Sequence, residues 1–157
     1  MPPLKQLLAL SLLVFLLPLT ACQKEKGPES AAPLKTTVLT LESHTLKVEI
    51  ADTDASMERG LMFREKMAES EGMLFVFAAP KQAIFWMRNT RIPLSVAYLD
   101  QAGCILEIHD MFPYDETPVA SSSPLVCYAL EVNQGWFTSH HISPGSTVQN
   151  LPDKPGH

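Results

Sequence analysis

The sequence predicts a mostly β domain, a compact sandwich or partly closed barrel of about seven to eight short strands with one short helix. Three observations carry that expectation. Short segments that alternate apolar and polar residues recur between residues 37 and 151, turn-forming residues separate them, and a single stretch has helical spacing. Thirteen prolines against seven glycines suit rigid turns between short strands better than long helices.

Ahead of that domain, an apolar run reaching residue 17 follows one positive charge, Lys5, and leads into Leu19-Thr20-Ala21-Cys22. The run is short for a bilayer span of roughly 20 residues, and small residues follow it, so residues 1–21 read as an export signal. Cys22 at that point resembles the lipobox of bacterial lipoproteins, in which the cysteine is diacylated and becomes the first residue of the mature chain; two acyl chains make a stable anchor where one does not. Residues 22–36 have almost nothing to bury and read as a flexible tether. Gln23 resembles the second position of lipoproteins sorted to an outer membrane. The expected location is therefore the bacterial cell envelope, lipid-anchored and extracytoplasmic, on the periplasmic face where the organism has an outer membrane, with the membrane as the first partner.

Strands are expected at residues 37–41, 45–50, 72–77, 83–89, 94–99, 104–108, 126–132 and around 147–151. The pair 94–99 and 104–109, joined by Asp100-Gln101-Ala102-Gly103, is the clearest hairpin. Residues 54–66 read as the helix, with Asp52 or Thr53 as N-cap and Met57, Leu61 and Arg64 recurring on one face, weakened by Gly60. Residues 111–124 form the longest loop, readable as a functional lid or a tolerated surface excursion, and residues 152–157 read as a disordered tail. Together residues 37–151 make one domain. Cys104 and Cys127 face a compartment in which disulfides persist, but strand parity sets Cys104 apart from Glu107 and His109 while placing Cys127 on the face of Glu131, which disfavours a bridge between them.

Residues 59–64, Arg-Gly-Leu-Met-Phe-Arg, are followed by Glu71-Gly72-Met73-Leu74-Phe75-Val76-Phe77 and by Phe85-Trp86-Met87-Arg88-Asn89-Thr90-Arg91-Ile92-Pro93-Leu94. With Gly103 to Ile108 and Tyr128-Ala129-Leu130-Glu131-Val132-Asn133-Gln134-Gly135-Trp136, this series resembles the bacterial domain-of-unknown-function family number 192 over about residues 40–150. The resemblance implies a secreted or lipid-anchored protein with a compact, mostly β fold and no established activity. Two departures stand out: Pro144-Gly145-Ser146 replaces a common Gly-Asp before the last strand, and Ser95 stands where many members carry Asp, which puts a catalytic carboxylate there in doubt.

Five residues are candidates for ligand binding: Arg64, Trp86, Arg88, Asn89 and Glu131. As a strand, residues 85–89 would put Trp86 and Arg88 on one face, and an aromatic ring beside a guanidinium suits a sugar, a carboxylate or a polar aromatic. The plain alternative is that Trp86 packs in the core and Arg88 pairs with a glutamate such as Glu131. Arg59 and Arg64 admit the same two readings, an anion site or ion pairs with Asp52, Asp54 or Glu71. Glu107, His109 and Asp110 could move protons in a hydrolase or lyase acting on an envelope carbohydrate or peptide, or simply form the wet face of a surface strand. His140, His141 and His157 lack zinc-site spacing, so no metal is expected. No Gly-x-Ser-x-Gly elbow supports Ser95 or residues 121–123 as a nucleophile, and no phosphate loop, dinucleotide fingerprint or Cys-x-x-Cys implies a cofactor.

Twelve basic against seventeen acidic residues, a formal net charge of −5, leave no basic footprint for a phosphate backbone, so nucleic acid is not an expected partner. The expected function is a non-catalytic accessory module of the envelope that binds a small polar or anionic ligand. Replacing Cys22→Ser is expected to move the protein from the membrane pellet to the soluble fraction of lysed cells; continued sedimentation with membranes would refute the lipid anchor.

Overall fold

The computed structural model describes residues 33–153. The expected export signal, Cys22 and most of the tether lie outside the described residues, as does the end of the tail. Among the described residues, nine strands and two short helices make a mostly β fold. Seven strands form one sheet in the order β6-β5-β8-β3-β2-β1-β9, and β4 with β7 forms a small second sheet.

The chain enters through the hairpin of β1 (Thr36–Leu41) and β2 (His44–Ala51). Its turn at Glu42 uses a positive φ of 51°. β2 then pairs in parallel with β3 (Glu71–Lys81), which demands a crossover rather than a tight turn. That crossover contains α1 (Asp54–Arg59), started by a reciprocal cap: the Thr53 hydroxyl accepts from the Ser56 N–H and the Ser56 hydroxyl accepts from the Thr53 N–H. The helix is shorter than its apolar spacing suggests. Gly60 leaves helical geometry at φ 46°, ψ −133°, a backbone region open essentially to glycine alone.

β8 (Val126–Asn133) lies between β3 and β5 (Leu94–Leu99), antiparallel to both, and β5 carries β6 (Ile105–Met111) on its far side as the expected hairpin. The short β9 (Val148–Gln149) adds to the other edge beside β1. The two edges then meet. Cys104 bridges Thr147, Ile105 N–H donates to the Ser146 carbonyl at 2.9 Å, and Val148 N–H donates to the Gly103 carbonyl at 2.9 Å. The sheet is thus a curled half-barrel whose outermost strands touch at one end.

Curling creates two cores. One joins Leu39, Leu46, Leu74, Leu130, Ile105 and Val148; because it draws on both edge strands it lies inside the curl, where α2 (Trp136–Ser139) adds Trp136 and Phe137. The other lies on the outer face and joins Met73, Phe75, Val96 and Tyr98 to Leu61, Met87 and Ile92 from the connections. Each large side chain buried in these layers contributes about 1.5–3 kcal/mol.

Several local expectations are corrected. Of residues 83–89 only β4 (Ile84–Phe85) is strand; beyond it Met87 N–H bonds the Asp115 carbonyl at 2.8 Å and the chain turns at Asn89 with φ 53°. The 111–124 loop is not structureless, because it supplies β7 (Val119–Ala120) to pair with β4. Residues 34–36, read as tether, join the domain: Leu34 packs on the outer core and the Lys35 carbonyl accepts from Ile50 N–H at 2.8 Å. A second helix, α2, follows the left-handed Gly135 at φ 79°. No disulfide joins Cys104 and Cys127. Parity nevertheless misplaces Cys127, which packs in the inner core and not beside Glu131, at the end of β8 where the ladder to β3 shifts register between Val76 and Lys81.

Gly72 shows how tightly the central strands are drawn together. A Cβ there would lie 2.6 Å from the backbone oxygen of Glu131 and 3.3 Å from the Val132 side chain. Gly72→Ala is expected to lower stability by roughly 1–3 kcal/mol, as overpacking does, in a urea unfolding experiment; an unchanged midpoint would show that β3 and β8 can separate freely.

Candidate functional site

β8 is buried along nearly its whole length, and one of its side chains is a carboxylic acid. Glu131 points to the outer face with only 4% of its surface exposed. It sits between Met73 of β3 and Val96 of β5, its partners across the two ladders. A charge in such a place is costly unless something pairs with it. Yet Glu131 makes no hydrogen bond or ion pair with any described residue, while no fully buried polar side-chain atom among those residues lacks a partner. The carboxyl oxygens therefore open onto a space.

That space is a cleft of about 430 Å³. Phe75 and Phe77 of β3, Phe85 of β4, Trp86, Met57 and Leu61 make its apolar walls, Glu131 lies at its floor, and Arg59 and Lys81 are among its lining residues. Phe85 meets Phe75 edge to face at 4.8 Å and leans on Tyr98 at 5.8 Å, the geometry aromatic pairs prefer. Lys81 Nζ stands 4.8 Å above the Phe77 ring. Among the walls, desolvation holds the Glu131 carboxyl in its neutral form, with its pKa pushed up to about 8.

The segments that wall the cleft carry unusual backbone. Gly60 at φ 46° brings the chain so close that a Cβ would lie 3.4 Å from the Phe75 ring. Phe63 at φ 65° and Asn89 at φ 53° are both left-handed, and Phe63 N–H donates to the Asn89 carbonyl at 2.9 Å. Left-handed Phe costs on the order of 1–3 kcal/mol, so its persistence here shows that surrounding contacts over-determine this turn.

The structure places the five ligand candidates apart. Trp86, half exposed at 50%, and Glu131 share the cleft. Arg64 instead pairs with Glu49 beside a separate small cavity. Arg88 and Asn89 are exposed beyond the turn, and the pair of Arg88 with Glu131 does not form. Phe75, Phe77, Phe85 and Leu61 give no warning of their role in the sequence, because apolar residues in a strand or helix look alike whether they fill a core or line a cleft. The one available signal is Glu131 itself, a lone acid in the apolar run of residues 126–132.

The alternative acid–base group is divided by strand parity. Glu107 and His109 share the outer face and bond each other at 2.9 Å, whereas Asp110 lies on the other face, accepting from the Ser95 hydroxyl, which itself accepts from Gly135 N–H at 2.9 Å. Glu107 is further committed to the 111–124 loop, accepting from Ser122 N–H at 2.8 Å. Partial burial raises its pKa, but the His109 contact and the Ser122 and Ser123 amides outweigh that and leave it below the usual range. The acid thus stands between His109 and Ser122, whereas a nucleophile–base–acid triad needs the base in the middle. In register, His109 lies two strands from Glu131 with Val96 between them, about 10 Å away at the usual strand spacing. Among the described residues no group of three or more His, Cys, Asp or Glu could hold a metal ion.

A neutral Glu131 has a thermodynamic signature. The folded chain keeps this proton up to about pH 8, the unfolded chain releases it near 4.5, so stability falls as pH rises between those values. At roughly 1.4 kcal/mol for each pH unit in that window, several kcal/mol of the fall belong to this one group. Glu131→Gln is expected to remove most of the slope, with Tm at pH 8.5 raised by several degrees and Tm at pH 4.5 little changed; parallel wild-type and variant profiles would show that the acid is not held neutral.

Residues 37–150 match the family described as an uncharacterised ACR, domain of unknown function 192. No curated protein matches the chain. Among solved structures, a protein from Sinorhizobium meliloti 1021, described as a candidate transcription regulator, is 34% identical with a TM-score of 0.72, over 75% of this chain and 95% of that one. A protein of unknown function from Novosphingobium aromaticivorans DSM 12444 is 35% identical with a TM-score of 0.71, over 77% of this chain and 94% of that one. With most of its length matched, the chain belongs to the domain-of-unknown-function family 192.

Proposed function

We propose that this protein is a lipid-anchored, extracytoplasmic module of the bacterial cell envelope that binds a small molecule in its outer cleft without acting on it chemically. The observation that carries the reading is a roomy apolar cleft with one unpartnered polar group at its floor. Ligand sites have this build: apolar walls supply affinity and a few placed polar groups fix orientation. The strained left-handed Phe63 in the segment beside the cleft supports it, because strain persists where a shape is needed. The envelope address rests on the first 22 residues, with their apolar run and Cys22.

The ligand envisaged has an apolar body and at least one polar group. Arg64 and Arg88 stand away from the cleft, so an anionic portion would have to meet Arg59 or Lys81 at its walls. A nucleic-acid role like that described for one relative is not favoured, since the formal net charge of −5 opposes binding to a phosphate backbone. Hydrolysis centred on His109 is not favoured, because Glu107 is engaged by the loop and Asp110 faces away.

Native mass spectrometry of the full-length protein, extracted gently from its own cells, tests the reading. The wild type is expected to retain a small-molecule adduct that the exposed-side substitution Trp86→Ala loses or strongly depletes. A bare spectrum for the wild type, or an equal adduct on both, would overturn it.

A further inference from the structure

Resting on that binding reading, we propose that the cleft is selective for organic amines: a ligand whose ammonium group reaches Glu131 and whose apolar body lies against Phe75, Phe77, Phe85 and Trp86. Two features agree on a cation. The floor offers a buried carboxyl that no described residue pairs with, and a buried carboxylate is stabilised when a cation completes it. The walls are rich in aromatic rings, and the face of such a ring attracts cations through its negative quadrupole. One ammonium already rests on this wall, since Lys81 Nζ sits 4.8 Å above Phe77.

Nothing among the described residues supplies the missing charge at the floor. Lys81 and Arg59 line the cleft yet make no ion pair with Glu131. Tyr98 donates its hydroxyl proton to the Val119 carbonyl at 2.6 Å and so has no proton to give a carboxylate. An anion pushed to the floor would meet an acid, and a neutral alcohol would gain a hydrogen bond without an ion pair. The volume of about 430 Å³ accommodates a ring or a short alkyl chain with its amine.

Binding of this kind is coupled to one proton. Before the amine enters, the carboxyl is neutral at pH 7, and an entering ammonium forms the ammonium–carboxylate pair while the carboxyl proton leaves to solvent. The other ionisable groups on the elements around Glu131 are Glu58 and Arg59 of α1, Lys81 of β3 and Tyr98 of β5, with Glu107 and His109 one strand further on β6. None of them needs to change charge for the exchange to balance.

Calorimetric titration of the full-length protein in detergent with 2-phenylethylamine and with 2-phenylethanol, which differ only in the amine and hydroxyl, tests this. At pH 7 the amine is expected to bind at least about tenfold tighter, as a desolvated charge pair allows, and runs in buffers of different ionisation enthalpy should show release of close to one proton. Glu131→Gln, checked for folding by circular dichroism, should abolish the amine preference and the proton release. Equal affinities, or an amine preference without proton release in the wild type, would overturn amine selectivity and leave the cleft as a binding site. Failure of both probes to bind would count against the amine inference and the cleft reading together, and an adduct in the native spectrum would then rescue the latter alone.

Discussion

The structure depends on one strand being buried on both faces. β8 lies between β3 and β5 in the middle of a curled sheet, and its alternate side chains must be covered from two directions. Inside the curl the sheet covers itself, because the β6 and β9 edges meet and α2 closes the end with Trp136 and Phe137. On the outer face no second large sheet exists among the described residues, and connections do the covering: Leu61 after α1, Met87 and Ile92 in the turn before β5, and the small β4-β7 sheet. Short connections cover a sheet less completely than another layer would, and the gap they leave is the cleft.

That asymmetry explains the placement of the polar groups. An acid on the inner face of β8 would be sealed among Leu130-like neighbours with no route to water or ligand. On the outer face Glu131 is just as poorly solvated by protein but adjoins a cavity, so its missing partner can come from outside. The same face carries His109 and Glu107 two strands away, where the sheet edge is wet and the pair serves to hold the 111–124 loop. Asp110 serves instead to fix Ser95 and, through it, Gly135 at the start of α2. The polar residues thus divide by strand face into cleft chemistry, loop anchoring and helix placement.

Backbone geometry near the cleft follows from the same need. Two segments distant in sequence, residues 60–64 and 86–90, must fold flat over the outer face and join each other. Left-handed Phe63 and Asn89, linked by one backbone hydrogen bond, make that junction. Neither residue type suits the conformation as glycine would, and the packing of Leu61 and Met87 beneath them is what holds it.

The sequence by itself determined most of the long strands and the hairpin of β5 and β6, and it narrowed the helix cap to Asp52 or Thr53, because alternation, turn residues and capping are local and each residue reports its own environment. It also marked Glu131, since an acid in an apolar run is anomalous wherever the run folds. It did not determine that residues 86–89 leave the sheet, and the Trp86–Arg88 pairing inferred from parity failed with that strand. A two-residue β4 is all that β7 can pair with, and only the fold brings them together. Which sheet edges close, which face is left to the connections, and which phenylalanines line space rather than fill it were decided by tertiary structure alone. Those are properties of packing between segments far apart in the chain, and an apolar side chain carries the same signature in a sealed core as at the wall of a cleft.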